Sequence, residues 1–146
     1  MSTFPDALRE RMEAAGAAGL RLPPPVFEAM EGAFLAFDAD AARLRVRFPV
    51  LERFQNPMGH LQGGAITMAV DNTIGPLSYL VAPPSATTEL TTTYLRPVTA
   101  EDAAIEVEAW LVERAGRRLV FDARVTNGAG KTVALARAVC QVLQPG

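Results

Sequence analysis

Cysteine and histidine occur once each in this chain of 146 residues, as Cys140 and His60, and this scarcity excludes whole classes of chemistry. A single thiol cannot form an internal disulfide and fits a reducing cytosol. One histidine and one cysteine are too few for the usual zinc ligand sets, so no metal is expected. No G-x-S-x-G elbow is present to accompany His60 in a Ser-His-Asp triad. The G-x-G-x-x-G and G-x-x-x-x-G-K-[ST] cradles are missing too, and no nucleotide cofactor is expected. A large excess of charge of one sign is missing too: the formal net charge is −2 and the pI about 5.4. Without a basic field, neither nucleic acid nor an anionic membrane is an expected partner. Long hydrophobic runs are lacking as well. The longest, around Ala65 to Leu80, is interrupted by Asp71, Asn72 and Gly75-Pro76 and is too polar to span a bilayer. The opening Met-Ser-Thr-Phe-Pro-Asp has no basic and apolar leader pattern. These absences together lead us to expect a soluble cytoplasmic protein.

What is present is the material for one ordinary domain, with 49% hydrophobic and 21% charged residues. Pro5 to Ala18 reads as an amphipathic helix with Leu8, Met12 and Ala15 on one side. Leu22-Pro23-Pro24-Pro25 ends it as a stiff connector. This gives an expected division into residues 1–25, a helix and proline connector, and residues 26–146, the main domain. Phe34 to Phe37, a turn at Asp38-Ala39-Asp40, and Leu44, Val46 and Phe48 alternating with Arg43, Arg45 and Arg47 read as a β-hairpin. The run from Ala65 to Leu80 reads as a helix covered on nearly all sides, kinked or nearly ended at Gly75-Pro76. Pro83-Pro84 stops it.

Beyond that point the chain is β-rich. Thr87 to Leu95 is dense in β-branched residues. Ile105, Val107, Ala109 and Leu111 alternate with Glu106, Glu108 and Trp110, and Leu119, Phe121, Ala123 and Val125 alternate with Asp122 and Arg124. Turns fall at Ala115-Gly116 and Asn127 to Gly130, and Val133 to Leu143 closes the chain. An α+β arrangement follows, an antiparallel sheet wrapped around one long central helix.

The densest signal is Asn56-Pro-Met-Gly59-His60-Leu-Gln62-Gly63-Gly64, followed by Asp71 inside the apolar run. A paired glycine opens the helix, and one carboxylate is expected to be buried two turns further in, where it needs a partner or a task. Backbone N–H groups at a helix start are donors for developing negative charge. Glycine pair and acid together point to acyl transfer without a serine or cysteine nucleophile.

On these residues the sequence resembles the hotdog-fold acyl-CoA thioesterases, in particular the phenylacetate-degradation and 4-hydroxybenzoyl-CoA thioesterase-like group. That group carries Asn-x-x-Gly-x-x-His-Gly-Gly, with an acid seven positions beyond the second glycine. Asn56, Gly59, Gly63, Gly64 and Asp71 match it, with Gln62 at the histidine position, and Thr91 to Pro97 looks like the group's strand ending in Arg-Pro. The resemblance covers roughly residues 34 to 143 and implies the hotdog fold, hydrolysis of a CoA thioester, and sites shared between two subunits. In one respect the chain departs: Gln62 stands where the group has histidine. Glutamine donates and accepts hydrogen bonds but carries no proton charge.

Thioester hydrolysis assigns the residues as follows. The Gly63 N–H is the oxyanion donor. Asp71 is a general base toward water, or a nucleophile forming a mixed anhydride. Asn56 and Gln62 hold the carbonyl or the water. Gly64, His60 and Arg96 bind substrate, with His60 at the rim and Arg96 either on a CoA phosphate or at a solvated strand end. Tyr79 and Met68 read as packing, or as edges of the acyl path. The apolar helix favours an apolar or aromatic acyl group over a dicarboxylate.

Eight residues along one helix separate Gly63 from Asp71 by about 12 Å at a rise of ~1.5 Å, whereas reacting atoms meet at ~3 Å. Two antiparallel copies related by a two-fold axis bring Gly63 of one to Asp71 of the other. A homodimer is therefore expected, and pairing of dimers into a tetramer is compatible with it. Two other functions stay open: a non-catalytic acyl-CoA binder, and a hotdog hydratase or dehydratase. The second uses a histidine paired with an acid and would have to draw on His60.

Overall fold

In the computed structural model the described residues are 5–14 and 19–143. The far end of the expected N-terminal helix, with Ala15, lies outside them. Helix α1 spans Asp6–Met12 and α2 Pro25–Ala29; strands β1 (Ala33–Asp38) and β2 (Arg43–Pro49) follow as a hairpin. Helix α3 runs Gly63–Val81, and β3 (Ser85–Tyr94), β4 (Ala104–Ala115), β5 (Arg118–Thr126) and β6 (Thr132–Val142) complete the chain. The six strands form one sheet in the order β1-β2-β4-β5-β6-β3, every pairing antiparallel. Helix α3 packs across β2 to β6. A long helix held in the curve of an antiparallel sheet is the hotdog fold.

Period-two alternation produces the two faces of the sheet. Leu44, Val46 and Phe48 on β2, Ile105 and Val107 on β4, and Phe121 and Val125 on β5 are all fully buried against α3. On the other face, Arg43 pairs with Glu108 at 2.6 Å and Arg45 with Glu106 at 2.8 Å. These exposed cross-strand pairs hold register more than they add stability. Phe48 meets Phe27 of α2 edge-on, with ring centroids 5.9 Å apart. Removing such a ring leaves a cavity that a rigid sheet cannot close. Phe48→Ala is expected to cost about 3–5 kcal/mol, checked by urea unfolding.

Two expectations about α3 need correction. Of the two outcomes expected at Gly75-Pro76, a kink or a near end, the second does not occur: the helix continues to Val81 with Pro76 inside it. A proline clashes with the Cβ of the residue before it when that residue is helical, and Gly75 has none. The helix is also not covered all round. Its sheet-facing side is buried, but a stripe of Gly64, Thr67, Met68, Asp71, Gly75 and Tyr79 is exposed or half-buried. At the far edge of the sheet, β3 leaves most of its residues exposed on both faces. Helix α2 was not anticipated. Its Pro25 reads as a connector, yet proline suits the first helical turn.

Candidate active site

Asn56 builds the loop that leads into α3. Its side-chain oxygen accepts from the N–H groups of Met58 (2.9 Å) and His60 (3.1 Å), and its own N–H donates to the His60 carbonyl at 2.7 Å. Gly59, at φ +76, closes this turn in the left-handed region. With its oxygen committed to the loop, the Asn56 amide nitrogen is the end left to donate. The loop delivers Gln62 to the N-cap of α3, where its carbonyl accepts from Ala65 (2.9 Å) and Ile66 (3.2 Å). No side chain caps this helix start, so the N–H groups of Gly63 and Gly64 are left over to bind something else.

Tyr94 of β3 holds the same turn from the other side. Its hydroxyl lies 2.8 Å from the Gly63 carbonyl, as donor, and bonds the Thr67 hydroxyl, which reaches Thr92 at 3.0 Å. A Cβ on Gly63 would stand 3.1 Å from the Tyr94 ring, so the glycine permits this close approach. No role for Tyr94 was legible in the sequence. It sits in the Thr91 to Pro97 strand, with nothing to show that it folds over the glycine pair.

Asn56, His60, Gly63 and Arg96 line one cleft of about 360 Å³. Four of the seven anticipated residues are thus brought together within a single chain. Arg96 donates to the Thr132 carbonyl and keeps an exposed flank. Gln62 and Gly64 face a second cleft of about 250 Å³, beside Arg53 and Met68. Asp71 joins neither. It borders an apolar cavity of about 100 Å³ further along the helix. The chain alone therefore does not bring Gly63 and Asp71 together.

The expectation of a buried Asp71 also fails, since the residue is exposed in the single chain. Its surroundings still act on it. Apolar neighbours desolvate the carboxylate and raise its pKa, and a hydrogen bond from the Thr87 hydroxyl, at 3.5 Å, works weakly the other way. Among the described residues no arginine or lysine pairs with it. The Thr87 hydroxyl also lies 3.8 Å from the thiol of buried Cys140, whose pKa is raised chiefly by burial. No group of three His, Cys, Asp or Glu side chains among the described residues is arranged to hold a metal ion. No helix among them is long and apolar enough to cross a membrane.

Helix, sheet and glycine turn define a hotdog protein with an uncapped helix start beside a cleft. The model of the Thioesterase superfamily matches residues 58–134, a span from the glycine loop to β6, and the chain belongs to that family. Among solved structures, a phenylacetic acid degradation-related protein of Ralstonia eutropha is 26% identical, with a TM-score of 0.80 over 97% of this chain and 100% of its own. The E. coli PaaI protein, from the phenylacetic acid degradation operon, shares the fold at 19% identity, with a TM-score of 0.80 over 94% of this chain and 96% of its own. A Streptococcus mutans protein solved with acetyl CoA shares it at 21% identity and TM-score 0.73, over 86% and 94%. No curated protein matches the sequence.

Proposed function

We propose that this protein hydrolyses CoA thioesters as a homodimer, with each site built from the α3 start of one subunit and Asp71 of the other. The observation that carries this reading is the exposed stripe of α3. Gly64, Thr67, Met68 and Asp71 follow one another at helical spacing along a side that the sheet leaves uncovered, flanked by Thr87, Thr92 and Tyr94 of the edge strand β3. A two-fold axis passing near Thr67 and Met68 would lay a second α3 antiparallel along this stripe. Gly63 and Gly64 would then face the partner's Asp71. The approach is sterically open, because a Cβ on Gly64 would meet nothing within 4 Å in the single chain. The open edge of β3 offers further surface to the same partner.

In this arrangement the thioester carbonyl oxygen points at the Gly63 N–H, with the Asn56 amide beside it. The partner's Asp71 takes a proton from water as the water oxygen adds to the carbonyl carbon. Collapse of the tetrahedral intermediate breaks the C–S bond, and the departing thiolate recovers a proton to leave free acid and CoA. Gln62 replaces histidine at a position that needs to orient groups but not to carry charge. Arg96, on the exposed rim of the larger cleft, is placed for a CoA phosphate. Hydration of an enoyl thioester would require a histidine paired with the acid; His60 lines the same cleft as Gly63, so an enoyl-CoA hydration assay separates that reading from hydrolysis.

The test is release of free thiol from a panel of acyl-CoAs by purified protein, with mass measured in solution. Turnover by a dimer, or by two dimers paired as a tetramer, is the expected result. A monomer that binds acyl-CoA without releasing thiol would overturn the proposal.

A further inference from the structure

The N-terminal segment, which lies outside the span matched by the family model, forms one wall of the apolar cavity that begins at Asp71. Met12 of α1, together with Leu22 and Pro24 of the connector, faces Gly75 and Tyr79 of α3 across about 100 Å³. Met12 is almost wholly buried and packs in a cluster with Leu8, Leu22 and Tyr79, so the wall is held by core contacts. On the α3 side a Cβ at Gly75 would meet nothing within 4 Å, so the missing side chain leaves space open.

Resting on the assignment of Asp71 above, we propose that this cavity receives the acyl chain, and that Met12, Leu22 and Gly75 restrict the substrate to CoA thioesters of short, uncharged aliphatic acids. Size sets the length. A cavity of 150 Å³ holds benzene, and a space of about 100 Å³ is smaller, suited to roughly three or four carbons beyond the thioester carbonyl. Chemistry sets the polarity. Among the described residues Asp71 is the only charged one on the lining, and the Asn72 amide is turned to the Met30 sulfur at 3.3 Å. Among the described residues no cation lines the cavity, so a distal carboxylate would enter unpaired beside a like charge.

The experiment compares kcat/KM for acetyl-, butyryl-, hexanoyl-, octanoyl- and succinyl-CoA in the wild type, Leu22→Ala and Gly75→Ala. A methylene that fits or fails to fit a pocket changes specificity by about tenfold or more. The wild type is expected to prefer butyryl-CoA and to reject succinyl-CoA. Leu22→Ala should move the butyryl-to-octanoyl ratio at least tenfold toward the longer chain. Gly75→Ala should move the acetyl-to-butyryl ratio the opposite way, toward acetyl. The two substitutions sit on opposite walls, so loss of folding in one leaves the other to decide. Thiol release with a chain-length profile unmoved by either, or a wild type that favours octanoyl- or succinyl-CoA, overturns the pocket assignment alone. Absence of thiol release from every ester overturns the hydrolase reading, and this inference falls with it.

Discussion

Asp71→Asn is expected to lower kcat/KM toward a CoA thioester by about 10²–10⁴-fold and, at neutral pH, to raise the melting temperature. Both effects have one cause. The folded chain desolvates this carboxyl and raises its pKa, so the fold favours the protonated form. A group of this kind contributes stability below its unfolded pKa and loses that contribution as pH rises through the folded value. Above the folded-state pKa the native state bears the cost of an ionised, desolvated carboxylate, and asparagine removes that cost. As pH falls below the carboxylate range, aspartic acid and asparagine become equivalent and the difference in Tm should close. Activity should follow the same group in the other direction. In the wild type kcat/KM should rise with pH through an inflection above the usual carboxylate range, and the variant should lack it. Calorimetry and pH–rate profiles on the two proteins check both parts. A variant that keeps full activity would make Asp71 structural. Single turnover in heavy-oxygen water reports the nucleophilic route when water opens the mixed anhydride at the Asp71 carbonyl, since the label then stays on Asp71.

How much of this could be read without coordinates depended on whether a residue's environment was local. Strands β2, β4 and β5 were legible because Leu44, Val46 and Phe48, or Phe121, Ala123 and Val125, alternate with charge across one sheet. The start of α3 was legible from Gly63-Gly64 and its end from Pro83-Pro84, whereas its passage through Pro76 depended on what Gly75 lacks. The surroundings of Asp71 could not be read from its apolar neighbours in sequence. Periodicity shows that a helix is apolar, but not that its one stripe containing Asp71 is left outside when the sheet has covered the rest. Likewise Asn56, His60, Gly63 and Arg96 share a cleft because β3 returns beside the glycine loop, a contact between residues about 40 positions apart. Tyr94 packs over Gly63 for the same reason.

Mixing two inactive variants should restore activity, and this is the sharpest expected result of the two-subunit site. Gly63→Val adds a branched side chain where the Tyr94 ring leaves 3.1 Å for the first carbon alone. The helix start must shift, and the loss of an aligned oxyanion donor is worth about 10²–10³ in kcat. Asp71→Ala removes the base. Each homodimer carries the same lesion in both sites. In a mixed dimer one site receives both lesions, while the other combines the intact Gly63 of the Asp71→Ala chain with the intact Asp71 of the Gly63→Val chain. Random exchange at equal concentrations makes about half of the dimers mixed, each with one of its two sites intact, so activity should recover to about one quarter of wild type. The recovery should appear at the rate of subunit exchange and should be absent when the variants are mixed after chemical cross-linking. If Gly63 and Asp71 served the same site from one chain, no mixture could regenerate it, and activity would stay at the level of the separate variants.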